Sequence, residues 1–84
     1  RTGHRPVGVP MTADQLEPAL AGIWQRVFAL DHVAPDDDFF ALGGHSLLAV
    51  RIAAEARTEL GLTVPVRAVF DHPTPATLAA HLAP

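Results

Sequence analysis

The sequence predicts an all-α fold, a small four-helix bundle with three main helices, one short helix and a long first connection. Three observations point there. Apolar residues recur at helical spacing in separate stretches, helix start and stop signals bracket those stretches, and nowhere does the chain alternate with the period of a strand. Its 84 residues make one domain, and a chain of that size buries only roughly 60 to 65 % of the surface its unfolded form exposes.

Residues 1–11 hold prolines, glycines and arginines without periodicity and are expected to be a linker or cloning remnant, with the folded domain at 12–84. Thr12-Ala13-Asp14-Gln15 has the form of a capping box, and Leu16, Leu20, Ile23, Trp24 and Val27 follow at helical spacing as the first helix. Pro18 disturbs its start, since an interior proline removes a hydrogen bond and clashes with the preceding turn at about 3 kcal/mol. Either the regular helix begins near Pro18 or Thr12 to Glu17 is a separate turn.

Leu30 to His45 is a longer connection than helices of a bundle usually need, and loops of such length tend to be functional. Phe39, Phe40 and Leu42 are expected to tie it to the core. Asp36, Asp37 and Asp38 lack the glycine and distal glutamate of an EF-hand loop at the required offsets, so they are expected to form a solvated, turn-forming acidic patch. The second helix runs from Ser46 to about Leu60, with Leu48, Ala49, Ile52, Ala53, Ala56 and Leu60 facing the core and Arg51, Glu55, Thr58 and Glu59 opposite. Leu47 and Val50, with Ala54 a turn further on, project away from the core near Ser46, as a small docking strip would.

Gly61 stops that helix. Pro65 opens a short helix through Phe70, anchored by Val66, Val69 and Phe70, and Asp71-His72-Pro73 breaks it. Thr74 then caps a last helix with Pro75 at its first position and Leu78, Ala79 and Leu82 inside.

Composition narrows the function. Hydrophobic residues at 49 % and charged ones at 18 % describe a folded protein. No apolar run approaches the roughly 18 residues of a membrane span and no leader pattern opens the chain, so a cytoplasmic location is expected. The absence of cysteine excludes disulfides, thiolate metal sites and a cysteine nucleophile. A net charge of -3 from nine acids against six arginines argues against nucleic-acid binding by a basic face. The five histidines lack the spacing that sets two ligands on one helical face and are expected at the surface.

The chemistry concentrates at Gly43-Gly44-His45-Ser46, which places one hydroxyl at a helix N-terminus beside unpaired N–H groups and the positive end of the dipole, where a phosphate is well placed. On the residues alone three roles stay open for Ser46. It is a helix N-cap, a hydrolase nucleophile, or a hydroxyl modified by another enzyme. The nucleophile elbow is a poor match, because Leu48 stands where its second glycine belongs and no strand precedes.

Asp38-Phe39-Phe40, Leu42-Gly43-Gly44-His45-Ser46-Leu47 and Phe70-x-x-Pro73-Thr74 stand in the order and spacing of the peptidyl carrier, or thiolation, domains of nonribosomal peptide synthetases, and the chain resembles that family from about Ala13 to Leu82. The resemblance implies a fold of acyl carrier protein type and a non-catalytic carrier within a larger synthetase. It assigns covalent 4'-phosphopantetheine to Ser46, flanked by Gly44 and His45, and docking to Leu47, Val50, Ala54 and Arg67. A phosphopantetheinyl transferase and adenylation and condensation domains are the implied partners, with a thioesterase or tailoring domain as a further candidate; a monomer is expected when excised. The acyl carrier proteins of polyketide and fatty acid synthesis are the alternative, usually with aspartate before the serine and a more acidic second helix; His45 and the mild charge tilt towards the peptidyl branch. From another class, a plain helical interaction module stays open.

Overall fold

The computed structural model describes residues 11–83; residues 1–10 of the expected linker and Pro84 lie outside the described residues. Met11 is partly buried against the core. Four helices follow in order, α1 (Ala13–Phe28), α2 (Ser46–Leu60), α3 (Val66–Asp71) and α4 (Pro75–Leu82), with no strand among the described residues.

Helix α1 corrects both readings of Pro18, which sits inside one continuous helix. The capping box is complete: the Thr12 hydroxyl accepts from Gln15 N–H at 3.2 Å and Gln15 Oε1 from Thr12 N–H at 2.9 Å. Pro18 forfeits only the bond its N–H would have given Asp14, and burial of Leu16, Leu20, Ile23, Trp24 and Val27 outweighs it, each large apolar side chain contributing about 1.5–3 kcal/mol. The helix ends at Ala29 with φ 57°, a left-handed residue that is not glycine.

That buried stripe is the centre of the core. It meets Ala49, Ile52 and Ala56 of α2 and Leu78 and Ala79 of α4, while Ala68 and Val69 of α3 pack against α2. The expected core face of α2 is therefore correct, with Leu48, Ala53 and Leu60 half-buried at its margins. Arg26 of α1 reaches across to α2, where its Nε donates to Glu55 at 3.0 Å and its other guanidinium nitrogen to Glu59.

Helix α3 begins one residue later than expected, with Pro65 as its N-cap. Pro75 opens α4 as expected, and Thr74 forms a second capping box with Thr77: Thr77 N–H donates to Thr74 Oγ1 at 3.0 Å and Thr74 N–H to Thr77 Oγ1 at 3.1 Å.

Candidate functional site

The long loop between α1 and α2 is ordered by its own polar groups. Asp37 Oδ2 accepts from Ala34 N–H at 2.8 Å, and Asp38 Oδ2 accepts from Phe40 N–H at 2.7 Å and Ala41 N–H at 2.9 Å. These are turn-forming carboxylates, as the residues suggested. Among the described residues no group of three or more acidic or histidine side chains could hold a metal ion.

Phe39 locks the loop to the bundle. It is fully buried, its N–H donates to the Pro73 carbonyl at 2.6 Å, and its ring meets Phe28 and Phe70 edge-on at centroid distances of 5.6 and 6.1 Å. Phe40 departs from the expectation that it enters the core. It is 50 % exposed and instead stacks on Phe70 at 5.9 Å. The Phe39 bond to Pro73 and the Phe28 and Phe70 rings around it fix which of the two phenylalanines faces inward.

The two glycines before the site serve different ends. Gly43 has φ +94°, a conformation that side chains rarely adopt, whereas a Cβ on Gly44 would lie 2.5 Å from the Phe39 ring. Gly44 N–H also donates to the Phe39 carbonyl at 2.9 Å. Backbone and ring together press the start of α2 onto the core. Nothing in local sequence spacing announces that contact.

His45 is the N-cap of α2, extended, exposed and without a side-chain cap bond. Ser46 is the first helical residue, so it is not the N-cap, which removes the simplest structural role open to it. Its side chain is exposed, and no hydrogen bond engages its hydroxyl among the described residues. The first intrahelical bond runs from Ala49 N–H to the His45 carbonyl at 3.0 Å, leaving the N–H groups of Ser46, Leu47 and Leu48 without intrahelical partners. No acidic residue occupies the first turn to neutralise the dipole. The site therefore joins an accessible hydroxyl to unpaired donors, and it fits a phosphodiester on Ser46.

Leu47 and Val50 are 65 % and 49 % exposed, and Ala54 is exposed on the same outward face. Arg67 is exposed on α3, where it faces Asp71 one turn on at 3.5 Å. Of the two acids expected on the outer arc of α2, Glu59 is exposed as expected and Glu55 is not. Glu55 is half-buried, and both Glu55 and Glu59 turn to Arg26. His72 and His81, far apart in sequence, stack at 4.1 Å between ring centroids.

Known proteins resemble this chain over most of its length. The family model described as a phosphopantetheine attachment site matches residues 18–82. Surfactin synthase subunit 2 of Bacillus subtilis (strain 168) is 39 % identical over 82 residues, covering 98 % of this chain, which spans 2 % of the length of that subunit. A solved nonribosomal PCP domain is similar with a TM-score of 0.73 and 44 % identity, over 88 % of this chain and 92 % of that one. A structure of the phosphopantetheine transferase Sfp with coenzyme A and a peptidyl carrier protein gives a TM-score of 0.74 and 36 % identity, over 80 % of this chain and 87 % of the other.

Proposed function

The chain belongs to the phosphopantetheine-attachment family, whose members carry covalently bound 4'-phosphopantetheine, and we propose that Ser46 takes that group in a peptidyl carrier domain of a nonribosomal peptide synthetase. The observation that carries the choice of residue is the exposed, unbonded Ser46 hydroxyl at the one long helix whose start has no side-chain cap. The domain is a carrier and performs no catalysis of its own.

When attached, the arm supplies the thiol that a cysteine-free chain lacks, and an aminoacyl or peptidyl group rides on it as a thioester. The protein's residues hold and present. The N–H groups of the first turn of α2 stabilise a phosphodiester on Ser46, an anion at a helix N-terminus being worth about 0.3–1 kcal/mol where exposed. Gly44 seats the start of α2 against the Phe39 ring, and His45 leaves the first-turn donors without a side-chain cap. Tethering replaces diffusion by a high effective concentration, limited by what arm and linkers can span.

In this reading residues 1–10 are linker, and Met11, packed against the core, belongs with the domain that Thr12 opens. Leu47, Val50, Ala54 and Arg67 grip, in turn, a phosphopantetheinyl transferase, adenylation and condensation domains and a thioesterase or tailoring domain, through small transient interfaces. The chain works in the cytoplasm, where coenzyme A, the donor of the arm, is available, and is a monomer when excised.

Intact mass before and after incubation with a phosphopantetheinyl transferase, magnesium and coenzyme A tests the proposal. One phosphopantetheine mass is gained by the wild type and none by Ser46→Ala. A gain in Ser46→Ala would move attachment to another hydroxyl, and no gain in a folded, initially unmodified wild type would sink the carrier reading.

A further inference from the structure

The charges of α2 are distributed unevenly in a way the composition hides. The helix carries two arginines and two glutamates, but Arg26 of α1 engages both Glu55 and Glu59. Arg51 and Arg57 make no ion pair among the described residues. At about 100° per residue, Arg57, Val50, Ala54, Leu47, Thr58 and Arg51 follow one another across roughly 120° of the helix surface. Every one of them is exposed. The glutamates lie beyond Arg51, on the flank turned to α1.

The outward face is thus an apolar strip with an arginine along each edge and no acid within it. A shallow groove beside it, between α2 and the segment 62–64, is lined by Val50, Ala54, Arg57 and Leu62, so one arginine stands at the rim of a hollow able to receive an apolar side chain. Against a chain of net charge -3, this face is locally positive.

Resting on the carrier reading, we infer that the partner enzyme docking here presents an apolar contact rimmed by carboxylates, paired with Arg51 and Arg57. A second copy of the chain is a poor occupant, because a two-fold interface through this face sets arginine against arginine. An acidic partner meets a chain of net negative charge and is attracted, among the described residues, by this face, so complementarity favours the approach that brings it to Ser46. Charges at an interface rim act chiefly on the association rate and its salt dependence. Arg26 draws both glutamates to the α1 flank and offsets one of their two charges, so α2 keeps its inter-helix ion pairs with its carboxylates turned away from that face.

The test loads the phosphopantetheinylated chain with the adenylation domain of the same synthetase, its amino acid and ATP, measuring kcat/KM at low and high salt. For Arg51→Glu with Arg57→Glu, kcat/KM is expected to fall about tenfold or more at low salt, and the wild-type decline with salt to disappear or reverse. Arg51→Gln with Arg57→Gln should flatten the salt dependence, and it decides the matter if circular dichroism shows the glutamate variant unfolded. Loading and salt dependence unchanged from wild type, or faster loading by the glutamate variant, would overturn the inference. Intact mass of the same samples separates the two levels. A wild type that takes no arm strikes the carrier reading, whereas normal arm attachment with charge-independent loading strikes only the acidic partner.

Discussion

Helices α1 and α4 begin differently from α2. The first two each start at a threonine whose hydroxyl and third-residue partner close a reciprocal capping box, so their ends are satisfied locally by side chains. Helix α2 starts at an extended histidine with no side-chain cap, and what fixes it is tertiary: Gly44 against the Phe39 ring, and Phe39 bonded to Pro73. The difference teaches where the chain leaves its polar groups free. Caps consume donors; packing from below does not. The unpaired N–H groups of α2 remain on the side from which Ser46 is reached.

The sharpest way to break this contrast is at Gly44. Gly44→Ala forces a methyl into the Phe39 ring, and overpacking of this kind costs about 1–3 kcal/mol. A drop in melting temperature is expected, together with slower arm attachment as the start of α2 shifts. Unchanged stability would mean that Phe39 does not hold the site. A smaller effect belongs to the caps. Thr12→Ala and Thr74→Ala should each cost about 1 kcal/mol in chemical denaturation while arm attachment proceeds normally. Ser46→Ala should do the reverse, abolishing attachment with a change in stability below about 0.5 kcal/mol. A loss near 1 kcal/mol at Ser46 would restore a capping role that its position as first helical residue denies it.

Much of this was legible in the sequence where the cause is local. Both capping boxes begin at a threonine read correctly as a start, Gly61 has the left-handed φ of 68° expected of a stop, and the apolar spacing in α1 and α2 marks the buried faces. What failed was non-local. Pro18 looked like a boundary because its cost is visible in sequence, whereas the burial that outweighs it is not. The end of α1 at Ala29 has no glycine to announce it, and a left-handed alanine costs about 1–2 kcal/mol that only tertiary contacts can offset. The inward turn of Phe39 and outward turn of Phe40 depend on Pro73 and Phe70, thirty residues or more away. Glu55 is half-buried rather than on the solvent arc because Arg26, which draws it in, is not revealed by anything near it in sequence. At the site itself the motif located the hydroxyl, while the reason for Gly44 waited for the ring beneath it.

The smallest effect is also the most discriminating, because it tries to give α2 the cap its neighbours have. Aspartate is among the best N-cap residues, and its carboxylate would accept from the N–H groups that His45 leaves unpaired. It would also place a negative charge at the positive end of the dipole, where a carboxylate is favourable by about 0.3–1 kcal/mol. His45→Asp is therefore expected to raise stability modestly in chemical denaturation. The same carboxylate competes with an incoming phosphate for the same donors and repels it. Arm attachment measured at limiting transferase should then slow, by a factor that shrinks with added salt, while endpoint labelling of Ser46 stays complete. If stability rises and the attachment rate does not change, the free donors serve only the helix and the phosphate gains nothing from them. If stability does not rise, those donors already have a partner in solution, and the contrast between α2 and the capped helices loses its physical basis.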